Sequence, residues 1–169
     1  GAQVMRVEDP ARADPTRVTT PHHFARLSRG KAERRFSFGT EAGRARLFAL
    51  ASVADVLITN ARPRAFESLG LAPARLFAAN PALIWVAITG HGWTGKEAGR
   101  VAFGDDAAAA GGLVDWVEGG PHFMGDALAD PLTGMAAALA TIKAMQAGGG
   151  VLVDAAMAQV AAGAVDMVA

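Results

Sequence analysis

The sequence predicts an α/β fold built on a parallel sheet. Three observations carry this. Val56–Thr59 (VLIT) and Ala82–Ile88 (ALIWVAI) are short apolar runs of buried-strand character. Between them lie segments with helix starts and stops, opened by Pro63 and Pro73 and closed by Leu69-Gly70 and Asn80-Pro81. The 169 residues are 51% hydrophobic and 19% charged, enough apolar material for one cored domain over residues 1–169 and too much for a disordered chain.

The elements follow in order. Gln3–Val7 reads as a strand, ended by Asp9-Pro10, with no partner strand before it. Residues 9–23, rich in Pro, Arg, Thr and Asp, read as a loop, and Ser28–Lys31 as a basic turn. Thr40 is placed to cap a helix over Glu41–Ser52. Beyond residue 100, Asp105–Val117 and Leu132–Gln146 read as helices. In the second, Leu132, Met135, Leu139, Ile142 and Met145 recur at three- and four-residue spacing as an apolar face. Ala136, Ala137, Ala138 and Ala140 permit close helix approach. Val151–Asp154 reads as a strand and Ala155–Val168 as a closing helix; Asp154, Gln159 and Asp166 argue against a membrane span there.

Net charge is zero but segregated. Residues 1–100 carry 15 Lys+Arg against 8 Asp+Glu, and residues 101–169 carry one Lys against 8 acids. Such a split suggests an anion-handling first part, with solvated helix faces as the plain alternative. Cysteine is absent, which excludes disulfide scaffolds, zinc–thiolate sites and thiol nucleophiles. It also fits a reducing, cytoplasmic setting, with no leader-like apolar run near Arg6, Glu8 and Asp9. Arg outnumbers Lys 13 to 3 and 39 residues are Ala, a bias that suggests a GC-rich bacterial source.

Gly90-His91-Gly92-Trp93-Thr94-Gly95 has the G-x-G-x-x-G form after a strand. Amides in such a loop can approach a phosphate, but no helical periodicity follows at once and no acidic residue sits at dinucleotide spacing. Asp130-Pro131 before an apolar helix is an N-cap pattern. The same place suits a nucleophile, because a helix N-terminus stabilises a carboxylate anion. His22-His23 lacks a third ligand, so no metal site is expected. His91 and His122 read as single loop histidines. The scattered cations lack the aromatic interleaving of a nucleic-acid surface.

Read together, the segments GAQVMRVED (1–9), LSRGK (27–31), ADVLITNARP (54–63), LGL (69–71), NPALIWVAITGHGWTG (80–95), DPLTGM (130–135) and VLVDAAM (151–157) resemble the family III CoA-transferases. This is the CaiB/BaiF-type group that includes formyl-CoA transferases and α-methylacyl-CoA racemases. The resemblance implies a Rossmann-like domain with flanking helices that takes acyl-CoA and a carboxylic acid as substrates and needs no prosthetic group. It implies a homodimer without nucleic-acid or membrane partners. It also implies a chain incomplete against full-length members, lacking the N-terminal βα unit and the small domain.

Asp130 falls on the family's catalytic aspartate, in D-x-x-[ST]-G-M. Arg6, Lys31, Asn60, Ala61 and Arg100 fall on or near positions at the CoA site, with Ala61 where an aromatic residue is common. Gly90 and Gly92 match the family's post-strand glycine loop. Phe103 stands where racemases carry a histidine, and a phenyl ring cannot move a proton, which favours transfer. The alternatives are a non-catalytic domain acting in binding or dimerisation and, from the glycine loop alone, an NAD-binding protein.

Overall fold

The computed structural model describes residues 1–167, in two compact units, Gly1–Ala49 and the chain from Leu50 onward.

In the first unit, β1 (Met5–Glu8) pairs in parallel with β2 (Ala32–Arg35), from Met5 opposite Ala32 to Glu8 opposite Arg35. The opening strand therefore finds its partner downstream, in an AERR segment too polar to read as a strand. The stretch expected as loop holds a 3₁₀ turn (Pro10–Arg12), α1 (Thr16–Thr19) and α2 (Pro21–Ser28). Its prolines start helices instead of excluding them. Pro21 occupies the first turn of α2, where the missing N–H costs nothing. His22 and His23 lie exposed on α2 and not in a loop. α3 (Glu41–Ala51) begins as expected, with Gly43 N–H donating to Thr40 Oγ1 (3.0 Å).

Glu8 is the hub of this unit, with 6% of its side chain exposed. Its carboxylate accepts from Asp14 N–H (2.6 Å), Arg17 Nη2 (2.7 Å) and Arg6 Nη2 (3.4 Å), and Arg35 Nε forms an ion pair with it at 3.3 Å. Arg17 also pairs with Glu33 and Arg6 with Asp14 (2.8 Å). The Arg6 and Arg17 guanidinium carbons sit 4.6 and 4.2 Å from the Phe24 ring centroid, a cation–π arrangement. Burial alone raises the Glu8 pKa. The Asp14 amide, the Arg17 hydrogen bond and the charges of Arg17 and Arg6 outweigh it, leaving Glu8 below its ordinary 4.5.

A depressed folded-state value stabilises the fold above pH 4.5 and loses that contribution as pH falls through the lowered value. Amide protection factors at β1 and β2, taken against the intrinsic exchange rate at each pH, are therefore expected to fall on acidification below about pH 4.5, and to be far less pH-dependent in Glu8→Gln. Equal acid sensitivity in both proteins would remove Glu8 as the cause.

The second unit is built on a three-stranded parallel sheet in the order β3 (Val56–Thr59), β4 (Ile84–Thr89), β7 (Val151–Ala156). α4 (Pro63–Ser68) and α5 (Pro73–Ala79) connect β3 to β4, each with proline in its first turn as read from the sequence. α6 (Gly104–Ala110) stops well short of the expected helix end. Gly111 and Gly112 (φ +88°) end it, and β5 (Val114–Val117) and β6 (Gly120–Phe123) form an antiparallel hairpin. The hairpin turns at Gly119 (φ +107°), a backbone that favours glycine. His122 lies in β6 and not in a loop. α7 (Ala129–Gln146) and α8 (Met157–Asp166) complete the unit. Val168, the expected end of the closing helix, lies outside the described residues. No helix among the described residues is long and apolar enough to cross a membrane.

Of the expected apolar face of α7 only Leu132 is partly buried, against the cluster around Met157 and Leu113; the helix otherwise buries its small side chains. Ala129, Thr133 and Ala137 are buried, whereas Met135 (64%), Leu139, Ile142 and Met145 are exposed. Small side chains let the helix lie close on the sheet, with Ala137 packed among Ile84, Val86 and Ala155. Ala107, Ala108, Ala129 and Ala161 likewise bring α6, α7 and α8 together around Met157 and Leu113. Gly111 allows this approach: a Cβ there would lie 2.5 Å from Ala161 Cβ.

Candidate functional site

In parallel sheets, ligands bind beyond the carboxyl ends of the strands. Here those ends carry Asn60 and Ala61 after β3, the glycine loop from Gly90 after β4, and the start of α8 after β7. Asn60 and Ala61 are exposed.

Asp130 is also exposed. It is not the N-cap that the Asp-Pro pattern implied. α7 begins one residue earlier at Ala129, Leu128 is the N-cap, and Asp130 lies in the first turn with Pro131 after it. Its placement comes from a strained residue. Ala127 has φ +48°, a left-handed conformation costing an alanine roughly 1–2 kcal/mol. Ala127 N–H donates to Asp105 Oδ1 (2.7 Å), and Ala127 O accepts from Asp130 N–H (2.9 Å). Asp105, on α6, thus fixes the turn that presents Asp130.

The carboxylate faces Gly104, where a Cβ would come 2.7 Å from Asp130 Oδ2 and 2.8 Å from Ala127 O. Gly90 is equally close to the same segment: a Cβ on it would lie 2.8 Å from Ala102 Cβ. Residues 102–104 therefore run between the glycine loop and Asp130. Phe103 occupies the N-cap of α6 with 73% of its surface exposed, next to the glycine that faces Asp130.

The glycine loop is not an open phosphate cradle. Gly92 N–H donates to Thr89 Oγ1 (3.0 Å), and Trp93 N–H donates to Asp154 Oδ2 (2.6 Å). Two of its amides are already paired within the protein, and the carboxylate beside them is negative. The chain after the loop stays irregular up to Gly104, so no helix N-terminus follows it as in a dinucleotide site.

The remaining expected residues are placed as follows. Arg100 is exposed and pairs with Glu97 (3.1 Å). In the first unit, Arg6 is half-buried and held by Asp14, Glu8 and Phe24, so its charge is largely met inside that unit. Lys31 is exposed in the turn before β2. Among the described residues, no group of three or more His, Asp or Glu side chains is placed to hold a metal ion. Asp105, Asp154, Thr89 and Trp93 were not singled out as site residues from the sequence. The available signal was a carboxylate ending an apolar run, V-L-V-D, in a strand beside the one that carries the glycine loop.

The chain is 30% identical over 168 residues to succinyl-CoA–D-citramalate CoA-transferase of Chloroflexus aurantiacus, covering 91% of this chain and 42% of that one. Its fold matches a CaiB/BaiF family protein from Brucella suis with a TM-score of 0.86 and 32% identity, over 98% of this chain and 48% of that one. It matches a protein from Mycobacterium tuberculosis with a TM-score of 0.89 and 30% identity, over 99% of this chain and 50% of that one. The chain spans about half the length of these relatives. The family pattern of CoA-transferase family III covers residues 1–169. The chain therefore belongs to CoA-transferase family III.

Proposed function

We propose that this chain transfers CoA from an acyl-CoA thioester to a carboxylic acid, with Asp130 as the nucleophile. The observation that carries the reading is the placement of the Asp130 carboxylate, exposed in the first turn of α7 and facing the side-chain-free Gly104 beside the glycine loop.

A carboxylate oxygen of Asp130 attacks the thioester carbonyl carbon. The C–S bond breaks, CoA leaves as the thiolate, and a mixed anhydride forms. The thiolate then attacks the Asp130 carbonyl carbon, releasing the donor acid as its carboxylate and leaving CoA on Asp130 as a thioester. The acceptor carboxylate attacks that carbon and frees the thiolate, and the thiolate takes the acceptor acyl group from the new anhydride. Asp130 is restored as a carboxylate, and no proton or electron is left over. Phe103, next in sequence to the glycine that faces Asp130, supports transfer over racemisation, since its ring carries no exchangeable proton.

In this reading Asn60, Ala61, Gly90 and Gly92 border the bound CoA at the carboxyl ends of β3 and β4, and cations of the second unit such as Arg100 meet its phosphates. The homodimer and the cytoplasmic, bacterial setting expected above belong to the same proposal. After incubation with an acyl-CoA, mass spectrometry is expected to find CoA on the peptide that contains Asp130. An adduct elsewhere would refute the assignment. Calorimetry separates the non-catalytic alternative, in which a stable oligomer shows no heat with millimolar CoA.

Two further outcomes follow. Gly104→Ala puts a methyl group against the Asp130 carboxylate and the Ala127 carbonyl. It is expected to cost about 1–3 kcal/mol of stability, read by thermal melting, and to lower adduct yield through the displaced carboxylate. An unchanged adduct yield would show that the Gly104 contact is irrelevant to the chemistry. CoA binding is also expected to weaken with added salt, as screening acts on exposed phosphate–cation contacts; a salt-independent Kd would exclude those cations.

A further inference from the structure

We infer that Asp154 is a positioning residue, which pins the loops after β3 and β4 into one assembly at the site; this rests on the CoA-transfer reading above. The Asp154 carboxylate uses both oxygens. Oδ1 accepts from Thr89 Oγ1 (3.0 Å) and Oδ2 from Trp93 N–H (2.6 Å), while Thr89 Oγ1 itself accepts from Gly92 N–H (3.0 Å). The hydroxyl thus relays the hold of Asp154 to Gly92, whose φ of +114° already requires glycine.

The grip extends through Trp93. Its ring stacks on Phe66 (5.7 Å between centroids, 27° between planes) and meets Trp85 edge to face (5.2 Å, 68°). Phe66 and Trp85 are themselves in edge contact at 5.3 Å. Trp85 Nε1–H donates to Thr59 Oγ1 (2.8 Å), at the last residue of β3 and next to Asn60. One carboxylate on β7 therefore fixes the backbone of Trp93, and the Trp93 ring joins a cluster that also holds the end of β3. Gly90, Gly92, Asn60 and Ala61 share this support.

An aspartate is needed because only a carboxylate accepts at both oxygens. Asparagine keeps the shape but loses the charge, and with its oxygen toward Trp93 N–H its amide nitrogen faces Thr89 Oγ1 as a donor, which leaves the Thr89 hydroxyl proton without its acceptor. Thr89→Val removes the relay, and Thr89→Ser keeps the hydroxyl. In Asp154→Asn, the exchange rates of the Gly92 and Trp93 amides are expected to rise about tenfold or more, the scale of one lost charge-assisted hydrogen bond. The β4–β7 ladder amides keep their rates. CoA affinity by calorimetry is expected to fall about tenfold in Asp154→Asn and in Thr89→Val, and to recover in Thr89→Ser.

A uniform rise across the β4–β7 ladder, or unchanged rates at Gly92 and Trp93, overturns the loop-pinning role. Faster loop exchange with an unchanged CoA Kd overturns its bearing on the ligand. If the wild-type chain itself shows no CoA binding, the CoA-transfer reading fails and the ligand part fails with it, while the exchange rates still decide the pinning. Thr89→Val gives the same readouts should Asp154→Asn not fold.

Discussion

Asp130→Asn is expected to abolish the CoA adduct and lower transfer by roughly 10⁴-fold or more, the usual scale for removing a covalent nucleophile. The carboxamide has nearly the same size and shape as the carboxylate. Asp130 is exposed in the first turn of α7, so the change disturbs no packing and the thermal midpoint should hold within a few degrees. The amide oxygen is a far weaker nucleophile than a carboxylate, and an adduct formed on it would not follow the same course. Loss of the adduct with an intact fold and an unchanged CoA Kd would assign Asp130 to chemistry and not to binding. Transfer at wild-type rate in Asp130→Asn would move the nucleophile elsewhere.

Trp85→Ala is expected to be the most destabilising single change in the second unit, costing about 3–5 kcal/mol in denaturant unfolding. Trp85 is 0% exposed in the central strand β4 and lies in edge contact with both Phe66 and Trp93. Its truncation removes a large buried surface, leaves Thr59 Oγ1 without its indole donor, and frees the ends of β3 and the glycine loop together. Trp85→Phe keeps much of the ring packing and is expected to lose about 1–2 kcal/mol, mainly through the missing N–H. A loss in Trp85→Ala no larger than in Trp85→Phe would mean that the cluster contributes little, and that the Thr59 hydrogen bond is the main link.

Elements that depend on nearest neighbours were legible in the chain. Pro63 and Pro73 mark helix starts because proline fits the first turn, and Val56–Thr59 and the run ending at Thr89 are strands because β-branched apolar residues suit a buried parallel sheet. The D-x-x-T-G-M segment and its neighbours were enough to identify the family. Elements that depend on partners far along the chain were not legible. β2 is a strand only because β1 pairs with it; AERR has no apolar pattern of its own. The helix expected to reach Val117 stops at Ala110, because Gly111 lies against α8 and the next residues find a hairpin partner in Gly120–Phe123. On α7 the hydrophobic spacing selects the large side chains, while close packing on the sheet selects Thr133 and Ala137.

The charge split has a similar history. A basic first hundred residues suggested an anion site. The structure shows that Arg6 and Arg17, with Glu8, Asp14 and Glu33, form an internal network around Phe24, so part of that charge organises the first unit. Lys31, in the same unit, is exposed.

The sequence alone determined the family and the parallel α/β character, and it singled out Asp130 as the residue proposed for the chemistry, because these follow from local pattern and ordered motifs. Only the tertiary structure decided how Asp130 is presented and what holds the glycine loop. Both depend on contacts between residues remote in sequence, Asp105 with Ala127 and Asp154 with Thr89 and Trp93, and such contacts exist only once the strands and helices have packed.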